Sequence, residues 1–143
     1  YEEAITYEKS DEDGDVTDVK VLLVEDNELN MEIAEFLLEN AGMEVTAVFN
    51  GKEAVDVFAS SEENYFDLIL MDIMMPIMDG LTATRTIRAM KRRDAKKIPI
   101  FAMTANAFLD DMEKSRKAGM NEHLSKPLDE SQMMSVIRRY VAN

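Results

Sequence analysis

The chain has 143 residues, 46% of them apolar and 31% charged, and its 16 basic against 29 acidic side chains give a net charge of −13. This is the size of one domain with one core and the profile of a soluble globular protein, and the negative charge disfavours direct nucleic-acid binding. The lack of cysteine and the single histidine, His123, exclude disulfides, thiolate metal sites, cysteine nucleophiles and multi-histidine metal sites.

The first 18 residues carry Glu2, Glu3, Glu8, Asp11, Glu12, Asp13, Asp15 and Asp18 against Lys9, with no sustained period. They read as an acidic linker or tail, with the domain proper at 19–143. Asp11, Asp13 and Asp15 suggest a calcium loop, but Gly14 and Leu22 stand at the wrong places for one, so a solvated connector is the better reading. Short apolar runs then alternate with amphipathic stretches. The predicted strands are Val19–Val24, Met43–Phe49, Phe66–Asp72, Ile98–Thr104 and Glu122–Ser125. Runs such as Leu68-Ile69-Leu70-Met71 do not alternate, as expected for strands buried on both faces.

Between them, Leu29, Ile33, Phe36, Leu37 and Ala41 fall at helical spacing and stop at Gly42, and Asn50 is placed to cap a helix over 51–59. Further helices are predicted from Leu81 to Arg92, from Ala107 to Ala118, and after Asp129 with Met133, Val136, Ile137 and Tyr140 on one side. Five strands and five helices in alternation predict an α/β fold with a parallel sheet in a three-layer (βα)5 sandwich. No apolar stretch approaches the roughly 20 residues that span a bilayer, and no signal peptide is evident, so the reading is cytoplasmic without membrane contact. The start at Tyr1 suggests a processed chain or a piece of something longer.

In an open parallel sheet, reactive groups gather beyond the carboxyl ends of the strands. Glu25 and Asp26 close the first run, Asp72 the third and Thr104 the fourth, and Lys126 follows the fifth. Carboxylates placed together repel unless a cation joins them. Hard oxygen ligands in partial number suit Mg²⁺, and Lys126 adds a point charge for a carboxylate or a phosphoryl oxygen. Acids, metal and lysine together make a phosphoryl-handling site. Singly, each residue could instead serve as a turn or cap residue.

The motifs Val21-Leu22-Leu23-Val24-Glu25-Asp26-Asn27, Asp67 to Gly80 (DLILMDIMMPIMDG), Ile98 to Ala107 (IPIFAMTANA) and Leu124-Ser125-Lys126-Pro127 resemble the receiver domain of two-component response regulators, in order, spacing and context. The resemblance implies a flavodoxin-like doubly wound sheet of order 2-1-3-4-5. It casts Asp72 as the acceptor of a phosphoryl group from a phosphohistidine. It casts Glu25, Asp26, Asp72 and the Met74 carbonyl as the Mg²⁺ ligands, and Thr104 and Lys126 as the groups that meet the phosphoryl oxygens. It also implies a cis Lys126–Pro127 peptide. Glu25 replaces the commoner Asp, and His123 stands where many receivers place the Tyr or Phe that swings inward with Thr104. The switched face is that of the fourth and fifth predicted helices and the fifth strand, to which the Met133–Met134 stripe could contribute, although core packing is the expected role of most of the methionines.

The segments Ala105 to Phe108 and Gly119 to Leu128 are most similar to receivers of hybrid histidine kinases. This implies a histidine kinase or a histidine phosphotransfer domain as partner, with a homodimer through the switched face as a further option. On this reading the domain is no independent enzyme. A stand-alone regulator and a pseudo-receiver that binds without accepting phosphate remain as alternatives. A haloacid dehalogenase-type phosphatase would need an Asp at position 74, where Met74 stands, and a flavin-phosphate loop would not be built from Glu25-Asp26-Asn27-Glu28.

Overall fold

In the structure, a computed structural model, residues 15–105 and 109–141 are described. The acidic connector as far as Gly14 lies outside them, as do Asn106, Ala107 and Phe108 of the third motif and the expected start of the fourth helix. The strands are β1 (Lys20–Val24), β2 (Glu44–Val48), β3 (Leu68–Asp72), β4 (Ile100–Thr104) and β5 (Glu122–Ser125). Among the described residues the helices are α1 (Glu28–Asn40), α2 (Gly51–Ser60), α3 (Gly80–Arg88), α4 (Arg93–Lys97), α5 (Leu109–Ala118) and α6 (Glu130–Val141). The sheet is parallel throughout and ordered β2-β1-β3-β4-β5, the flavodoxin-like arrangement. No helix among the described residues is long and apolar enough to cross a membrane.

The unbroken apolar strands divide by parity, because successive side chains of a strand point to opposite faces. Val21, Leu23, Leu68, Leu70, Phe101, Met103 and Leu124 form one core with α1 and α6, whereas Leu22, Val24, Ile69, Met71, Ile100 and Ala102 form the other with α2, α3 and α4. Full burial of a side chain such as Phe58 or Phe101 contributes about 1.5–3 kcal/mol. Val16 is buried in the first core, four residues ahead of β1. Met133 and Met134 are core residues rather than surface ones.

Two helices differ from expectation. On α1 the buried positions are Met31, Ala34 and Leu38, while Leu29, Ile33 and Phe36 are 64%, 46% and 65% exposed. The helix has two apolar stripes, and the one rich in small and flexible side chains lies on the sheet. The helix predicted as far as Arg92 instead ends at Arg88, and α4 follows as a sixth helix. Arg92 turns extended (φ −150°, ψ 148°) because its guanidinium is drawn to the α2–β3 connection. There it donates to the carbonyls of Phe58, Ser61 and Glu62 at 2.9, 3.0 and 3.1 Å.

Candidate functional site

The chain turns sharply where each strand ends, and those turns build the site. Asn27 accepts a hydrogen bond from the Asn30 N–H at 2.9 Å and caps α1, fixing the Glu25-Asp26 pair between β1 and the helix. Asp79 caps α3 in the same way through the Thr82 N–H at 2.8 Å. Gly80, the first residue of α3, donates its N–H to the Ile73 carbonyl at 2.9 Å. A Cβ at Gly80 would collide with the backbone carbonyl of Asp72, so glycine allows the helix to start directly against the end of β3. At the far side the Lys126 N–H donates to the Thr104 carbonyl at 2.9 Å, and the Lys126–Pro127 peptide is cis.

These turns bring Glu25, Asp26, Asp72 and Lys126 together. The three carboxyl groups each offer an oxygen within 4.8 Å of the others. Lys126 Nζ lies 3.0 Å from Asp72 Oδ2, 3.1 Å from Glu25 Oε1 and 3.4 Å from Glu25 Oε2. Glu25 Oε2 also accepts from the Asn27 N–H at 3.1 Å, so the longer side chain that replaces the commoner Asp is anchored at both oxygens. Glu25 and Asp72 are buried, and Asp26 is exposed.

One lysine does not neutralise three carboxylates. Burial pushes the Asp72 carboxyl up to about 7; the Lys126 contact opposes this, and Glu25 and Asp26 add to it. Burial alone would lower the Lys126 ammonium, but Asp72 and Glu25 carry it above the ordinary lysine value. A site short of positive charge, with hard oxygen donors of which one is open to solvent, fits a divalent cation such as Mg²⁺. Asp26, Met74, Pro76 and Asp79 line an open cleft of about 420 Å³ on that solvent side.

Thr104 closes β4 next to the cluster and is buried. His123 lies on β5 in register with Ala102 and is half-buried. The Met74 side chain is 78% exposed in the β3–α3 connection. Sequence reasoning missed two features beside the cluster. One is the solvent-facing stripe Leu29, Ile33 and Phe36, where Ile33 lines a small cavity with Glu25, Lys126 and Leu128. The other is Ile77, 77% exposed and at φ +69°, an unusual conformation for a β-branched residue. The stripe does show in apolar periodicity, which does not say that it faces solvent, and the positive φ of Ile77 leaves no signal there.

The known proteins that resemble the chain share its fold. The family model described as response regulator receiver domain matches residues 21–138. The chain is 45% identical over 126 residues to hybrid signal transduction histidine kinase G of Dictyostelium discoideum, covering 86% of the chain but 4% of that protein. It is 39% identical to sensor protein GacS of Pseudomonas syringae, covering 85% of the chain and 13% of the relative. The receiver domain of sensor histidine kinase PA1611 from Pseudomonas aeruginosa, solved with magnesium coordinated in its active-site cleft, superposes with TM-score 0.78 at 38% identity, covering 87% of this chain and 98% of that one. The receiver domain of Saccharomyces cerevisiae Ssk1, solved with the phosphotransfer protein Ypd1, is among the structural neighbours at TM-score 0.76 and 28% identity, covering 87% and 89% of the two chains. The chain thus spans a small part of the length of its curated relatives, and it belongs to the receiver domain family of two-component response regulators.

Proposed function

We propose that the domain is a phosphoacceptor and that Asp72 is its acceptor residue. The observation that carries this is the position of Asp72: at the end of β3, in contact with Lys126, and inside a cluster of three carboxyl groups that this single lysine does not neutralise. Asp72 Oδ attacks the phosphorus of a phosphohistidine; the P–O bond forms as the P–N bond breaks, and the imidazole leaves with a proton from solvent. Mg²⁺ held by Asp26, Asp72 and the Met74 carbonyl, with Glu25 nearby, would neutralise charge on the transferring group. Lys126 pairs with a phosphoryl oxygen, and Thr104 donates its hydroxyl to another. His123 follows Thr104, and the face of α5, β5 and α6 changes its affinity for partners. That face is also where a homodimer would form.

The donor is a histidine kinase or a histidine phosphotransfer domain, and the domain is not an enzyme in its own right. The exposed stripe Leu29, Ile33 and Phe36 beside the Glu25–Lys126 contact supports this, since it offers an apolar surface to a partner that must place an imidazole at Asp72. We further place the domain in the cytoplasm, behind the acidic linker of residues 1–18; the sensor and hybrid histidine kinases among its relatives support its place within a hybrid kinase.

The test is intact mass after incubation with Mg²⁺ and acetyl phosphate. One phosphoryl group is expected on the wild type, and none on Asp72→Asn or without Mg²⁺. Absence of any gain, under conditions that modify a known receiver, would favour an interaction module that does not accept phosphate.

A further inference from the structure

The pole of the sheet opposite the acidic site carries an open basin of about 940 Å³ between the α2–β3 connection and the segment that holds α4. In a chain of net charge −13, the seven residues from Lys91 to Lys97 hold Lys91, Arg92, Arg93, Lys96 and Lys97 against Asp94 alone. Two of these cations are committed to the fold. Arg92 is bound to Asp94 at 2.8 Å and to loop carbonyls, and Lys96 Nζ donates to the Arg88 and Met90 carbonyls at 2.7 and 2.9 Å. The other three, Lys91, Arg93 and Lys97, are exposed, and their side chains make no ion pair or hydrogen bond among the described residues.

Acids also face the basin, and they are already engaged. Glu63 Oε2 accepts from the Arg93 N–H at 3.1 Å, and Asp67 Oδ2 accepts from the Lys20 N–H at 2.9 Å. With Lys91, Arg92, Arg93, Lys96 and Lys97 against Glu63, Asp67 and Asp94, the basin still carries a net positive charge, on a chain that is otherwise strongly acidic. The same sequence holds the complement: Glu2, Glu3, Glu8, Asp11, Glu12 and Asp13 against Lys9.

The point of entry is also close. The described chain starts at Asp15, and Lys20 is bonded in both directions to Asp67 at the basin, since the Asp67 N–H donates to the Lys20 carbonyl at 2.8 Å. The five steps from Asp15 to Lys20 reach at most about 17 Å, and the fourteen residues before Asp15 at most about 48 Å, so the acidic run can reach the three cations. We propose that this basin binds an acidic peptide segment, and that its occupant is the acidic run of residues 2–13 of this same chain, held by Lys91, Arg93 and Lys97. Each exposed ion pair is weak and screened by salt. The tether raises the local concentration of the run to the millimolar range, which suits such a contact. Bound there, the run is kept at the pole away from Glu25, Asp26 and Asp72, where it would compete for cations.

The test uses amide NMR of the whole 143-residue chain with two variants. In one, the six acids of residues 2–13 become Gln or Asn; in the other, Lys91, Arg93 and Lys97 become Glu. Because those three side chains are exposed and unpaired, the second variant is expected to fold as the wild type does. The expected result at low salt is a shift of the amides of residues 63–67 and 91–98 when the acids are neutralised. About 1 M NaCl, with a screening length near 3 Å, should move the wild-type basin amides to the same positions and leave those of the neutralised variant unmoved. The basic-to-acidic variant should lose the response of residues 2–13 to salt. Basin amides identical in wild type and neutralised variant at low salt would overturn the proposal. A shift that disappears on dilution would overturn it as well, since the occupant would then be a second copy.

Discussion

Both poles of the sheet bury carboxylate–cation contacts on the connections between strands and helices, and the two are completed to different degrees. At the lower pole Arg92 clasps Asp94 with a two-pronged contact, Nε to Oδ1 at 2.8 Å and Nη2 to Oδ2 at 2.9 Å. Asp94 Oδ2 accepts further from the Asn64 N–H at 2.8 Å, and the guanidinium lies over the Phe58 ring at 4.5 Å. The hydrogen bonds from Arg92 hold the Asp94 carboxyl below the ordinary carboxylate value. At the upper pole three carboxyl groups cluster with one lysine, which among them contacts only Glu25 and Asp72, and Asp72 is pushed the other way, up to about 7. A completed ion pair fastens the fold, whereas a site left short of a cation can take a metal and a phosphoryl group.

The comparison is tested most strongly by removing the cation at the lower pole. Arg92→Ala leaves Asp94 buried without its partner and is expected to cost about 3 kcal/mol, read as a lower urea midpoint. Arg92→Lys should recover little of this, because a point charge cannot reproduce the fork or reach the Phe58, Ser61 and Glu62 carbonyls together. A loss below about 0.5 kcal/mol, the range of ordinary surface substitutions, would show that the clasp does not fasten the α2–β3 connection to α4.

Gly80→Ala comes next, with an expected loss of about 1–3 kcal/mol from overpacking. The added methyl meets the Asp72 carbonyl, so α3 or the end of β3 must move. Uptake from acetyl phosphate should fall along with stability. Full uptake in a destabilised variant would separate the packing of α3 from the placement of Asp72.

The third prediction is one of sign. A carboxyl whose folded value is raised from 3.8 to about 7 binds more protons in the folded state than in the unfolded state across that interval. Its contribution to stability is therefore fully present below about pH 4 and is lost as pH rises through 7. Asp72→Asn removes this loss, so the variant should match the wild type near pH 4 and become progressively more stable than it towards pH 8. Asp94 behaves oppositely: its contribution is present at neutral pH and is lost only as pH falls through its lowered value. Denaturant midpoints of wild type, Asp72→Asn and Asp94→Asn between pH 3 and pH 8 measure both slopes. A wild-type curve parallel to that of Asp72→Asn would mean that the upper carboxylates are already satisfied.

The upper pole was legible in the sequence for a physical reason, and the lower one was not. A strand buried on both faces is an unbroken apolar run, so the first polar residue after it marks the carboxyl edge of the sheet. Glu25, Asp72 and Thr104 could be found that way. The order 2-1-3-4-5 came only with the resemblance, because periodicity does not say which strands are neighbours. Arg92 and Asp94 stand in a charged stretch with no apolar period, and what they hold is backbone carbonyls more than 30 positions earlier. Their contact ends one helix and places another, which is why the predicted helix runs on to Arg92 and α4 is not predicted at all. On α1 the sequence holds two apolar stripes, and nothing local says which of them faces the sheet.

That ambiguity on α1 leads to the smallest expected effect on stability. If Met31, Ala34 and Leu38 are the stripe on the sheet, then Phe36→Ser, at a side chain 65% exposed, should change the unfolding free energy by less than about 0.5 kcal/mol. Had Phe36 been in the core, the same truncation would cost about 3–5 kcal/mol. The variant should also take a phosphoryl group from acetyl phosphate at the wild-type rate, because Phe36 is absent from the Asp72–Lys126–Glu25 contacts. Transfer from a phosphohistidine domain should slow, since that donor must rest on a surface beside the cluster while a small phosphate ester need not. If both donors slow equally, the effect reaches Asp72 through the fold, and the stripe is no docking surface. If neither slows, the partner approaches from the side of Met74 and Ile77, two further exposed apolar residues at this pole.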